Sequence, residues 1–363
     1  MARPGGLRWE EIHRDLMARI ESGELPAGAR VPSETDLALT YSVSRMTVHQ
    51  AMKQLQEGGY VVRRPKIGTV VAGKAGSRRH RVALLMSDIH LQPHANYLLG
   101  LSEGLGNEAE ITLLDPRGDP AQEAHVLRSL DRSHEAVAIY PTCAPSNTPL
   151  LQAVRDRGVP VLCLDRVPEG LVSDSVATDN YGSCRQVLDR LTAKGHRRML
   201  MISQGSEAIS SVADRRRAFV DSLSAVGVDG RSAIRSLPNA VHWDFAEYVN
   251  AVHDTLFVAG AQAEPPTVIF AQQDWTLSAV LHAAERLRWR VPEDLQIVAV
   301  NDDPNLPILG LDRTHRIQPA SFQLGRRAAE ILLRRMRGDR SPALEVRLPA
   351  EIVSAEEPLL VRT

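Results

Sequence analysis

The sequence lacks most of what would mark an exported protein, a membrane protein or an enzyme. Its 363 residues include three cysteines, Cys143, Cys163 and Cys184. Each lies in or beside an apolar segment and none forms a C-x-x-C pair, which argues against a disulfide framework and a cysteine-based zinc site and fits a reducing compartment. No apolar run approaches the ~18 residues of a membrane span. The opening Met-Ala-Arg-Pro-Gly-Gly leads into a charged amphipathic segment instead of the apolar core of a signal peptide, so a cytoplasmic protein is expected. No glycine-rich dinucleotide turn follows a strand, and no G-x-x-x-x-G-K-[ST] loop occurs. Nucleophile-elbow and triad spacings are missing, leaving an α/β enzyme with a regulatory head as a remote reading. His90 and His94 are four apart, but Pro93 interrupts any helix between them, so no metal pair is expected; nor is a cofactor.

What is present is ordinary in bulk and uneven in distribution. Hydrophobic residues make up 43% and charged residues 24%, as in globular domains. The length allows two or three domains with sizeable cores. The net charge of −1 hides an asymmetry: residues 1–81 hold 14 Lys and Arg against 8 Asp and Glu, so this head carries +6 and the remainder −7. A basic head on an acidic body points to a polyanion partner at the head.

Val43–Leu55 is the stretch that gives this charge a purpose. Val48, Ala51, Met52 and Leu55 recur at helical spacing and face inward. Ser44 is placed as an N-cap, with Thr47 three positions on. Arg45, Met46, Thr47, His49 and Gln50 project from the opposite side, a set suited to base edges and phosphates in a major groove. Upstream, Leu7, Ile12, Leu16 and Ile20 mark a first helix. Ser33-Glu34-Thr35-Asp36 approximates a capping box that opens a second short helix through Leu37 and Leu39. Downstream, residues 60–64 and 69–71 read as two strands joined by Pro65-Lys66-Ile67-Gly68, a basic hairpin beside a helix-turn-helix.

These motifs, with Trp9-x-x-Ile12, Leu25-Pro26-x-Gly28-x-x-Val31-Pro32-Ser33-Glu34, Val43-Ser44-Arg45-x-Thr47-Val48 and Gly68-Thr69, resemble the winged helix-turn-helix of the gluconate-repressor (GntR) family. The resemblance covers nearly the whole head. It implies DNA contacts from Ser33, Thr35, Ser44, Arg45, Thr47, His49, Lys66 and Gly68, with double-stranded operator DNA as the partner. Position 49 is often Arg in that family and is His here; a Gly often stands where this chain has Lys66.

A short basic linker, residues 74–81, precedes a change of rhythm. Eight apolar runs, beginning at Val82, Ile111, Ala136, Val159, Ser175, Met199, Thr267 and Gln296, alternate with helical segments. Near-continuous apolar strands between helices imply parallel sheets covered on both faces, and eight exceed one ordinary sheet, so two α/β lobes are predicted. Ligands of such sheets sit at the carboxyl ends of strands. There the chain places Ser87-Asp88, Pro141-Thr142, Asp165-Arg166, Ser203-Gln204, Gln272-Gln273-Asp274-Trp275 and Asn301-Asp302-Asp303. Amides, carboxylates, guanidinium groups and an indole suit a polyhydroxylated ligand. The Asp302-Asp303 pair is read as a hinge or cap.

The runs Pro160–Arg166, Asp174-Ser175-Val176-x-x-Asp179-Asn180-x-Gly182, Lys194–Arg198, Asp214–Phe219, Phe270-Ala271-x-x-Asp274, Val291–Leu295 and Leu324–Ala329 resemble the effector domain of the lactose/galactose-repressor (LacI) family. That resemblance implies a periplasmic-binding-protein-like domain of two lobes with three crossovers and a ligand between them. Its contact positions fall on Arg185, Arg215 and Asp274, with Asp88, His90, Tyr140, Trp243, Trp275, Asn301 and Gln318 as further loop candidates. Where the family shows Ala-Asn-Asp, this chain has Ala271-Gln272-Gln273-Asp274.

The expected organisation is a winged head at 1–73, the linker, and an effector-binding and dimerisation domain at 82–363, with lobe 1 about 82–165 and 303–319 and lobe 2 about 166–302 and 320–350. The combination resembles arabinose-repressor-like regulators. It implies a homodimeric repressor of sugar-utilisation genes whose operator affinity changes when a small molecule, a sugar, binds. A purine or other effector, or a body that only dimerises, are the alternative readings.

Overall fold

The computed structural model describes residues 9–65, 67–72, 79–89, 92–130, 133–204, 207–237, 244–301 and 313–355. Lys66, His90, Trp243 and the Asp302-Asp303 pair lie outside them. Among the described residues no helix is long and apolar enough to cross a membrane.

The head holds α1 (Trp9–Glu21), α2 (Glu34–Thr40), α3 (Arg45–Glu57) and a hairpin of β1 (Val61–Arg64) and β2 (Gly68–Val71). The inward stripe of α3 is Val48, Ala51, Met52 and Leu55, as its spacing predicts. It packs on Ile12 and Leu16 of α1, Leu37 of α2, and Val61 and Val71 of the hairpin. Leu37 is buried, whereas Leu39 on the same helix is 76% exposed. The connector at Ala29–Val31 joins the hairpin as a third edge: Val31 N–H donates to the Thr69 carbonyl (2.9 Å) and Val71 N–H to the Ala29 carbonyl (2.8 Å).

The body's first strand, β3 (His80–Leu85), begins inside the stretch read as linker. Alternation then runs through α4 (Gln92–Leu105), β4 (Ala109–Leu114), α5 (Pro120–Ser129), β5 (Ala136–Ile139), α6 (Thr148–Asp156), β6 (Val161–Leu164) and β7 (Asp174–Thr178). It continues through α7 (Asn180–Ala193), β8 (Met199–Gln204), α8 (Ser210–Ser224), β9 (Ile234–Leu237), α9 (Phe245–Gly260), β10 (Val268–Ala271), α10 (Asp274–Arg286), β11 (Gln296–Val300), β12 (His315–Gln318), α11 (Ser321–Met336), β13 (Glu345–Leu348) and β14 (Glu351–Val353). Two six-stranded sheets result, ordered β13-β7-β6-β5-β3-β4 in lobe 1 and β14-β12-β11-β10-β8-β9 in lobe 2. In lobe 2 the strands pair in parallel except for β14, which runs antiparallel to β12. Period-2 alternation gives this sheet two covered faces: Ile269 and Ala271 enter one core, Val268 and Phe270 the other.

The lobe limits differ from those expected. β7 extends the lobe 1 sheet beside β6, so lobe 1 runs to Thr178 before the chain first crosses. β12 pairs with β11 in lobe 2, where Ile317 enters the core. The chain then crosses back as α11, and β13 pairs with β7. A third crossing takes it to β14. β9, β12, β13 and β14 are short and mix charged with apolar residues, so hydropathy marks neither the strands nor their sheet. The return is fixed by close helix packing: a Cβ at Gly100 of α4 would overlap the Phe322 carbonyl, and one at Gly325 of α11 would overlap the Tyr97 carbonyl.

Two outcomes follow for stability. Leu55→Ala should lower the stability of the head by about 2–5 kcal/mol, because Leu55 is fully buried. Gly325→Val should destabilise lobe 1 by about 1–3 kcal/mol or more through overpacking against α4. Scanning calorimetry of the full chain checks both, each variant lowering a transition relative to the wild type.

Candidate functional site

In the head, two short caps set the ends of α2 and α3. Ser33 Oγ accepts from Asp36 N–H (3.2 Å) and donates to the Asp36 carboxylate (2.6 Å), which also accepts from Ser33 N–H (3.2 Å). These bonds hold the Asp36 carboxyl below the usual carboxylate range. Ser44 Oγ accepts from Thr47 N–H (3.2 Å) and lies 2.8 Å from Thr47 Oγ1. Ser33, Ser44 and Thr47 are thus partly engaged as caps. Thr35, Arg45 and Met46 are exposed, Met46 at 75%. Arg45 has no ion-pair or hydrogen-bond partner among the described residues. His49 Nδ1 instead sits 3.0 Å from Glu34 Oε1, tying the start of α2 to α3. Gly68 has φ 104°, and a Cβ there would meet the Arg30 guanidinium at 3.2 Å, so backbone geometry and packing explain this glycine.

In the body, residues at strand ends gather from both lobes. On lobe 1, Tyr140 follows β5, and its hydroxyl donates to Asp165 Oδ2 (3.2 Å). The Arg166 guanidinium lies 4.1 Å above the Tyr140 ring, and the His94 ring meets it edge-on at 4.5 Å. Burial pushes the Tyr140 hydroxyl up to about 12, so it stays a neutral donor at physiological pH. The Asp88 carbonyl lies 3.2 Å from His94 Nδ1, and Asp88 itself is exposed with φ 52°. The loop after Tyr140 is anchored by the fully buried Glu123 carboxylate, which accepts from Thr142 N–H (2.7 Å), Thr142 Oγ1 (2.8 Å) and Asn147 Nδ2 (2.8 Å).

On lobe 2, Arg215 donates to Asn180 Oδ1 (2.7 Å) and to the Gln272 carbonyl (3.0 Å). Its charge acts on the Tyr140 hydroxyl across the two lobes. Gln272 is buried, and its Oε1 accepts from Ser203 Oγ and from Gln204 N–H (3.1 Å). Asn301 Nδ2 donates to the Asp274 carboxylate at the start of α10. Gln272 Nε2 and Asn301 Oδ1 are buried without hydrogen-bond partners among the described residues. Trp275 is 37% exposed, with the Phe245 ring edge-on to it at 5.0 Å.

Two expected positions stand apart. Arg185 is turned along α7, where Nε donates to both Asp189 oxygens (3.1 and 3.0 Å) and Nη1 to Tyr181 (3.4 Å). An i,i+4 carboxylate captures it on the helix face. Gln318 ends β12 opposite Glu351 of β14. Conversely, His94, Asp165, Arg166, Asn180 and Gln272 join the group without having been named as contacts; Asp165, Arg166 and Gln272 were marked by their positions after strands, and Asn180 only by the motif Asp179-Asn180-x-Gly182. A separate cavity of about 240 Å³, lined by Gln152, Arg155, Asp174, Arg335 and Arg340, lies near the amino ends of β6 and β7, away from these side chains.

A capped helix in a winged head, followed in the chain by a two-lobed parallel α/β body, is the architecture of a DNA-binding transcription regulator. Residues 9–71 match bacterial regulatory proteins of the gntR family, and residues 188–354 match the periplasmic binding protein-like domain. The chain carries a gntR-type helix-turn-helix head fused to a periplasmic-binding-protein-like domain. The regulator KdgR of Bacillus subtilis (strain 168) is 22% identical over 243 residues, 67% of this chain and 69% of its own length. The arabinose metabolism transcriptional repressor of Halalkalibacterium halodurans is 20% identical over 340 residues, 90% of this chain and 88% of its own. Among solved structures, a transcriptional regulator CelR-cellobiose complex has a TM-score of 0.65 at 22% identity, covering 90% of this chain and 99% of that one.

The His94 environment sets a pH dependence. Burial lowers its pKa from 6.5, with the Asp88 carbonyl only partly opposing. Below 6.5 the unfolded chain therefore binds more protons than the folded one, so stability falls as pH drops from there towards the folded pKa. Thermal melts between about pH 7.5 and 5 should show a shallower decline for His94→Gln than for the wild type. Equal slopes would remove His94 from the account.

Proposed function

We propose that the protein is a cytoplasmic, homodimeric repressor of sugar-utilisation genes, without enzymatic activity. Its operator affinity is changed by a small molecule, a sugar, bound between the lobes. The observation that carries the effector half is the pair of buried amide atoms, Gln272 Nε2 and Asn301 Oδ1, that have no hydrogen-bond partner among the described residues and sit beside Arg215 and Asp274. A buried amide atom is costly to leave unsatisfied, and the hydroxyls of a sugar would satisfy both. Tyr140, Asp88 and Trp275, with His90 and Trp243, complete the proposed contact set. The solved CelR complex with cellobiose and the arabinose repressor among the relatives support the same reading.

The output half rests on Arg45, exposed beside Ser44 and Thr47 at the start of α3. We assign DNA contact to it with Ser33, Thr35, Ser44, Thr47, His49, Lys66 and Gly68. Two heads would meet a pseudo-palindromic operator. Ligand and DNA then act on each other's affinity reciprocally through two lobe arrangements.

Arg45→Ala should weaken specific operator binding by about 10- to 100-fold, the loss typical of a base-reading arginine, and leave effector binding unchanged. Asn301→Ala should leave ligand-free operator binding intact and abolish its response to effector. Fluorescence-anisotropy titration of operator DNA with and without sugars measures both. Loss of ligand and DNA binding together in Arg45→Ala would show a structural helix and overturn the assignment.

A further inference from the structure

Several arginines of the body are held by protein partners, Arg335 and Arg216 through all three guanidinium nitrogens. Arg335 donates as a fork to Asp174 (2.8 and 2.7 Å) and also to the Ser341 and Pro342 carbonyls. Arg216 donates to Ser203 (2.8 Å), Glu207 (2.7 Å) and Ser236 (2.7 Å). Arg215 holds Asn180 and the Gln272 carbonyl. Arg335 and Arg216 each have all three guanidinium nitrogens bonded to protein acceptors, and Arg215 has Nε and Nη1 so bonded, which makes all three structural or positioning groups.

Arg166 differs. Its side chain is 19% exposed, yet the nearest carboxylate, Asp165, reaches only to 3.7 Å from Nε, beyond hydrogen-bond range. That Nε is buried with no hydrogen-bond partner among the described residues. Asp165 is meanwhile shared, since Tyr140 donates to it. The terminal nitrogens have the Tyr140 ring and hydroxyl beside them and no carboxylate, amide or carbonyl acceptor among the described residues. A guanidinium stacked on an aromatic face is held in orientation, and among the described residues the Tyr140 hydroxyl is its one hydrogen-bonding neighbour, which leaves most of its donors for a ligand. The fork matches the paired oxygens of a carboxylate or phosphate better than single hydroxyls. Arg215 on lobe 2 carries a second positive charge, which opposes the upward shift that burial gives the Tyr140 hydroxyl.

We propose that the effector is anionic: a polyhydroxylated acid whose carboxylate or phosphate is taken by Arg166 of lobe 1, while lobe 2 takes its hydroxyls through Gln272, Asn301 and Asp274. This rests on the reading of the site as an effector site. Arg166 is then the residue that selects acid over neutral sugar, and its anchoring on Tyr140 makes the lobe 1 wall the charge-reading side.

The test is a thermal-shift and calorimetric panel on the full chain. Its arms are neutral sugars (glucose, arabinose, cellobiose), sugar carboxylates (gluconate, glucuronate) and sugar phosphates (glucose 6-phosphate, ribose 5-phosphate). Carboxylates or phosphates should bind and their neutral parents should not, with the stronger arm identifying the acid. Arg166→Gln should weaken the bound acid by about 10- to 100-fold, and Arg166→Lys by less, since it keeps the charge and loses the fork. Circular dichroism matching the wild type establishes that the variants fold. Neutral sugars binding in preference to acids, or acids binding Arg166→Gln as tightly as the wild type, overturns this proposal and leaves the sugar-effector reading standing. No binding from any arm overturns both.

Discussion

A parallel sheet delivers all its strand ends to one edge, and the body is organised by that constraint. Backbone groups at those ends leave the ladder, so side chains there carry the hydrogen bonding. In each lobe the chain fills these positions with polar groups: Asp165 and Arg166 after β6, Gln272 after β10, Asn301 after β11. The interior of each sheet admits none of them, because β5, β6, β10 and most of β11 are apolar and buried on both faces. Polarity is thereby concentrated where a ligand can meet it. The head follows a different rule, in which one small core leaves the outer end of a single helix free.

Much of this was legible in the sequence. The α3 stripe, the caps at Ser33 and Ser44, and the eight apolar strands depend on local spacing or local hydrogen bonds, which neighbouring residues specify. Capping is a property of a few consecutive residues, and continuous apolar runs leave little alternative to a buried strand.

What was not legible depends on distant partners. Arg185 follows Asp179-Asn180-x-Gly182 at a position that resemblance assigns to the ligand, and Asp189 one turn later captures it. His49, expected to contact DNA, also sits against Glu34, fifteen residues earlier, a partner that local spacing does not reveal. Gln272 and Gln273 occupy the place of a single amide; one goes inward to Ser203 and Gln204 N–H while the other turns to the Gln204 side chain (2.5 Å). Lobe membership after Asn301 was misassigned because short mixed strands such as β12 and β13 carry no hydropathic signature of the sheet they join.

The three crossings also set an order of assembly during synthesis. The head draws its core from residues 12–71, a contiguous stretch that is complete early. Lobe 1 lacks α11 and β13, and lobe 2 lacks β14, until residues 321–353 have been made, a wait imposed by contacts of long sequence separation. A ribosome stalled between residues 301 and 320 would therefore hold a finished head on a body with both sheets incomplete. Neither sheet is complete before residue 348 is made, whereas the core of the head is complete at residue 71, so the parts of this chain finish folding at different times.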